Sequence, residues 1–116
     1  MSTIDANFLD AETVSTFVEM GIDVISSLVD LYVENATEEI HNMDQSARSG
    51  SVIDIKKAAH SLKGSSFNTG ASAMGQLCME IEKNARENDL EAVRLEILRL
   101  PDLLEKTRLA FLETYP

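Results

Sequence analysis

A chain of 116 residues is long enough to bury one hydrophobic core but too short for a core plus a separate catalytic lobe. Five Gly, two Pro, 5% aromatic residues and many Leu, Ile, Ala, Glu and Met favour helices over a sandwich or barrel. Twenty acidic against ten basic side chains leave a formal net charge of −10, which repels nucleic-acid backbones and anionic bilayers and removes both from the partner classes.

The segment Met1-Ser2-Thr3-Ile4-Asp5 has neither the basic start nor the apolar run of a signal peptide. Asp10 is placed to cap a short first helix over about 11–20, with Leu9 stapled onto Val14 and Gly21 ending it. Asp23 can cap a second helix over 24–48, where Ile25, Leu28, Tyr32, Ala36, Ile40, Met43 and Ala47 recur at spacings of three or four as far as Gly50. Ser51 caps a third helix over 52–69, which ends near Gly70.

A fourth helix over 72–87 buries Met74, Leu77, Cys78, Ile81 and Ala85 and turns Gly75, Met79, Glu82 and Arg86 the other way. Asn88-Asp89 supplies the next turn and cap. The fifth helix, over 90–114, carries an apolar series Leu90, Val93, Ile97, Leu100, Leu104, Thr107 and Phe111. That phase survives Pro101, which predicts a kink between Ile97 and Pro101 rather than a break. Four long amphipathic helices joined by short turns, behind one short helix, predict an all-α fold. The expected architecture is an up-down-up-down four-helix bundle with a short N-terminal capping helix, one domain over 1–116.

The third helix carries the chemistry. At about 100° per residue, Val52, Ile55, Ala59, Leu62 and Ser66 share one sector, and His60 points roughly 130° from its centre, into solvent. Lys63 and Gly64 follow at three and four positions, bordering His60 on the same surface. An exposed imidazole is a competent nucleophile near neutral pH. A cation beside it can offset arriving negative charge, and a glycine keeps the space above it clear. A glycine inside a helix costs roughly 0.5–1 kcal/mol relative to alanine, so close approach of another protein is a reason for its presence.

His60-Ser61-Leu62-Lys63-Gly64-Ser65-Ser66, followed by Gly70-Ala71, Leu77-Cys78 and Glu80-Ile81-Glu82, resembles the signature of histidine-containing phosphotransfer (HPt) domains. The resemblance extends through the helix order over nearly the whole chain. It implies a four-helix bundle whose exposed histidine accepts a phosphoryl group from an aspartyl phosphate on a response-regulator receiver domain and passes it to a receiver. Carried onto this chain, the acceptor is His60, with Lys63 compensating charge. Lys56, Gly64, Phe67, Met79, Glu82 and Arg86 form the surrounding docking face. Phosphoryl transfer asks mainly for positioning and charge compensation, which a small bundle can supply.

Each residue also has a plainer reading. His60 taken alone would be a solvated surface histidine, and Lys63 alone a solvated helix position. Phe67 and Met79 are candidates for an apolar patch around the histidine, though single exposed apolar residues are ordinary. Glu82 and Arg86 stand four apart in the favourable order for a helical ion pair. Glu82 falls where some family members carry an amide that touches the histidine; a carboxylate there repels a phosphoryl group unless Arg86 neutralises it. His41 has no signature around it and reads as a surface residue. Cys78, the single cysteine, lies on the core stripe as inert packing, rules out an internal disulfide and fits a reducing compartment. His41, His60 and Cys78 lack the paired spacing of a zinc site.

The resulting expectations are a phosphorelay carrier without its own ATP-dependent kinase activity, holding no cofactor, the divalent metal residing on the partner receiver. Its partners are receiver domains, with a hybrid sensor kinase as a further candidate. Two other readings compete. An autophosphorylating kinase fragment usually shows an acidic residue directly after its histidine, where this chain has Ser61. A helical adaptor would bind and sequester a receiver without transfer. The chain is expected to be cytoplasmic and monomeric, with Leu95, Leu98 and Leu103 off the main phase of the last helix and available for a dimer.

Overall fold

The computed structural model describes residues 4–114, apart from the Ile22 side chain; Met1-Ser2-Thr3, part of the segment read above against a signal peptide, lie outside the described residues. Five helices follow in order: α1 (Ala11–Met20), α2 (Ile22–Ser49), α3 (Val52–Thr69), α4 (Ser72–Arg86) and α5 (Leu90–Leu112). The long helices pack in a ring, α2 on α3, α3 on α4, α4 on α5 and α5 back on α2, while α1 leans across α2 and α3. The result is an up-down-up-down four-helix bundle capped at one end by α1, with extents of 45 × 21 × 19 Å.

Local chemistry explains most of the boundaries. The Ser51 hydroxyl accepts from the Asp54 N–H at 3.4 Å, and the Asp89 carboxylate accepts from the Ala92 N–H at 3.2 Å, each satisfying an orphan donor at a helix start. Gly50 ends α2 in the left-handed region, with φ +73°. Gly70 does the same for α3 at φ +91°, and a Cβ there would also stand 2.8 Å from Val14 Cγ2, so α1 can seat on this turn only over a glycine.

Four boundaries differ from the periodic reading, the end of α2 only in running one residue further, to Ser49. α2 begins at Ile22 with Gly21 at its cap, so Asp23 lies inside the first turn, where its charge favours the helix N-terminus, instead of capping it. α4 stops at Arg86, one residue early, because Asn88 turns left-handed at φ +60° and the Asp89 N–H donates back to the Asn84 carbonyl at 2.8 Å. α5 ends at Leu112, where the Thr114 hydroxyl donates to the Phe111 carbonyl at 2.6 Å and closes the last turn. The helical run passes through Pro101, so the proline costs α5 a hydrogen bond without dividing it.

The core is the set of stripes turned inward by this ring. Tyr32, Ala36 and Met43 of α2, Ile55, Ala59 and Leu62 of α3, Met74, Cys78 and Ile81 of α4, and Val93, Leu100 and Phe111 of α5 are all buried. The stripe of α3 includes a polar residue for a reason. The Ser66 hydroxyl is fully buried and lies 2.6 Å from the Tyr32 hydroxyl, one hydrogen bond satisfying both groups and tying α3 to α2. Burial raises the Tyr32 phenol well above its ordinary range, so it stays protonated. The N-terminal segment stitches the far end: the Phe8 carbonyl accepts from the Ala73 N–H at 3.2 Å, and the Asp10 N–H donates to the Gly70 carbonyl at 2.8 Å.

Asp10 precedes α1, but its carboxylate accepts from the Thr13 hydroxyl at 2.5 Å and makes no cap bond to a backbone N–H. Leu9 and Val14 are both buried. No described helix is long and apolar enough to cross a membrane.

Candidate functional site

The inward stripe of α3 leaves one surface of the helix free, and His60 stands on it with its side chain 68% exposed. A carboxylate crosses from α4 to meet it: Glu82 Oε2 lies 2.9 Å from His60 Nδ1. The other oxygen of the same carboxylate, Oε1, accepts from Lys63 Nζ at 2.6 Å. One anion is thus shared by the imidazole and the lysine, with Glu82 only 12% and Lys63 24% exposed at the side chain.

Burial alone would raise the Glu82 carboxyl. Hydrogen bonds from Lys63 and then His60, reinforced by their charges, outweigh it and hold the group below the usual carboxylate range. Opposite an ionised carboxylate, the neutral ring carries its proton on Nδ1, which leaves the Nε2 lone pair free on the exposed side.

The approach to that lone pair is open. A Cβ built on Gly64 would find no heavy atom within 4 Å. Gly75, expected on the outward face of α4, is instead buried: a Cβ there would stand 2.7 Å from Phe67 Cε1. The Phe67 ring therefore lies across α4, using the gap that glycine leaves, and is 41% exposed. Met79, a turn beyond Gly75, is 49% exposed.

Two assignments of charge change. Glu82 does not pair with Arg86; its carboxylate is spent on Lys63 and His60, and Lys63 is the cation that offsets it. Arg86 is exposed and Lys56 half-buried, and neither is in an ion pair among the described residues. His41 is exposed on α2. The Cys78 thiol is buried, and burial, aided by the charges of Glu39 and Glu82 against that of Lys63, pushes it up to about 12, which suits inert packing. No cluster able to hold a metal ion occurs among the described residues.

Sequence reasoning located His60, Lys63 and Gly64 on one surface but missed the contact that joins α3 to α4 there. A signal for it existed. His60 and Glu82 lie equally far along the chain from Ala71, and so do Phe67 and Gly75. In two antiparallel helices joined at a tight turn, residues equidistant from the turn come opposite one another.

The Hpt domain family model matches residues 27–110. The phosphorelay protein LuxU of Vibrio harveyi is 27% identical over 93 residues, covering 80% of this chain and 82% of that protein. Among solved structures, histidine-containing phosphotransfer protein B of Pseudomonas aeruginosa PAO1 superposes with a TM-score of 0.84 at 26% identity, covering 92% of this chain and 93% of that one. The HPT domain of a hybrid sensor histidine kinase from Shewanella is similar in fold, with a TM-score of 0.71 at 20% identity over 95% of each chain.

Proposed function

Since the chain belongs to the Hpt domain family and is a phosphorelay carrier of two-component signalling, we propose that His60 is its phosphoryl acceptor, loaded from and unloaded to aspartates of response-regulator receiver domains. The observation that carries the assignment is the exposed imidazole with Nδ1 engaged at 2.9 Å by Glu82. That contact leaves Nε2 as the nucleophile, beneath the clear space over Gly64.

In the forward step, the Nε2 lone pair attacks the phosphorus of the aspartyl phosphate. The P–O bond breaks with its electron pair leaving on the aspartate oxygen, and the reverse step returns the group. The chain contributes position and a partly screened cation, Lys63. The receiver contributes the aspartate, the divalent metal and most of the charge stabilisation. The docking face consists of Lys56, Gly64, Phe67, Met79, Glu82 and Arg86 around the histidine, and a hybrid sensor kinase is a further partner that presents such a receiver.

On this reading the chain works in the cytoplasm as a monomer. Its four stripes are satisfied within the bundle, and of the off-phase leucines Leu103 packs against the core while Leu95 and Leu98 stay exposed. It has no ATP-dependent kinase activity of its own. Incubation with ATP and Mg²⁺ alone then leaves it unlabelled, whereas a phosphorylated receiver labels the wild type and not His60→Gln. Labelling of His60→Gln by the receiver would refute the assignment.

A further inference from the structure

The transfer step needs one copy of the chain, yet α5 carries a second stripe that the bundle leaves unused. Leu95, Leu98, Asp102, Glu105, Leu109 and Leu112 follow one another at alternating spacings of three and four, on the side of α5 opposite its buried series. The four leucines are between 40% and 72% exposed. We propose that this stripe is a self-association surface, on which a second copy of the chain seats its own α5 antiparallel.

The order of the residues selects the occupant. Leucine, leucine, acid, acid, leucine, leucine reads the same in both directions. About a two-fold axis level with Leu103 and Leu104, Leu95 meets the partner's Leu112, Leu98 meets the partner's Leu109 and Asp102 meets the partner's Glu105. Leucines thus cover leucines at both ends of the seam. The acids at its centre arrive neutralised: Asp102 accepts from Lys106 at 2.9 Å and Glu105 from Arg108 at 2.9 Å on the same helix. Arg99, three residues before Asp102, is in no ion pair among the described residues and adds a cation for the partner's acids. α5 as a whole holds four acidic and four basic side chains, so the net charge of −10 lies outside it and two copies meet here without net repulsion.

The seam from Leu95 to Leu112 is about 26 Å long at the helical rise. One such helix pair buries less than the roughly 1,200 Å² below which encounters are transient. Pairing is therefore weak: the carrier is the monomer described above below about 10 µM and a dimer towards about 1 mM. The charge left outside the seam opposes approach at long range, so added salt, by screening it, tightens the pair. In the ring α5 stands diagonal to α3, and both His60 surfaces stay open when two copies join.

Sedimentation equilibrium of the intact chain from about 10 µM to about 1 mM reads the pairing, and the average mass should climb from that of one chain towards two. Leu98→Glu, which sets a charge against the partner's Leu109, should weaken association at least about tenfold. Ile53→Glu adds the same charge at an equally open apolar site on α3, 68% exposed against 72%, and should leave the mass curve where it was. Orientation is read with a short thiol cross-linker, which the buried Cys78 does not meet. Leu98→Cys combined with Leu109→Cys should cross-link at least about tenfold faster than Leu98→Cys alone, whose two copies lie about 16 Å apart along an antiparallel seam. A single-chain mass throughout that range, equal weakening by Ile53→Glu, or equally fast cross-linking of Leu98→Cys alone would overturn the proposal. None of these outcomes bears on His60 as the acceptor.

Discussion

Gly64 separates folding from docking more cleanly than any other position in the chain. A Cβ there meets nothing within 4 Å, and the residue lies inside α3 with ordinary helical backbone, so alanine should be accepted without strain. Helix propensity then predicts a gain of roughly 0.5–1 kcal/mol for Gly64→Ala. An unfolding entropy of about 2.1 cal/mol/K per residue gives about 0.24 kcal/mol/K for 116 residues, so the melting temperature should rise by about 2–4 °C. Gly64→Gln should melt at or slightly above the wild-type temperature too, since glutamine is also a good helix former and its side chain extends into open space. Transfer should behave oppositely: a long side chain beside His60 occupies the volume a receiver must enter, and the rate of phosphoryl transfer from a phosphorylated receiver should fall more than about tenfold. Thermal melts by circular dichroism and rapid-quench transfer kinetics on the two variants read both quantities. A lowered melting temperature for Gly64→Ala, or wild-type transfer by Gly64→Gln, would refute the reasoning.

Gly75→Ala should do the reverse, displacing the Phe67 ring that lies 2.7 Å from the new Cβ position, so a fall in melting temperature is expected with the largest NMR shift changes at Phe67. Tyr32→Phe strands the buried Ser66 hydroxyl and should cost about 1–3 kcal/mol in urea denaturation, whereas adding Ser66→Ala to it should recover most of the loss. Because the Glu82 carboxyl is held below its ordinary range in the folded chain, its ion pairing stabilises the fold above the unfolded carboxylate value of about 4.3 and is lost as pH falls through the lower folded value. Glu82→Gln should therefore flatten the fall of stability below pH 5, and an unchanged slope in acid denaturation would contradict the ion-pair geometry.

Periodicity carried the helical reading far because the core uses one stripe per helix. Ile55, Ala59, Leu62 and Ser66 share a sector, and all are buried. Residues read one at a time lose the register between helices. Gly75 sits on the less apolar side of α4 yet is buried, because Phe67 reaches it from the neighbouring helix. Glu82 paired on paper with Arg86 four residues on, yet turns to Lys63 and His60, since a partly buried carboxylate gains more from two donors across the interface than from one solvated arginine. The caps were less legible at α2, where glycine stands at the cap position and the acidic residue two positions on, inside the first turn, mimics the usual signature.

The account stands on one bond, phosphorus to Nε2 of His60. The direct measurement is ³¹P–¹⁵N correlation NMR of the ¹⁵N-labelled chain after transfer from a phosphorylated receiver. The predicted result is a single phosphorus coupled to Nε2 of His60, with Nδ1 still protonated against Glu82. Phosphorus coupled to Nδ1, or found on any residue other than His60, would contradict it.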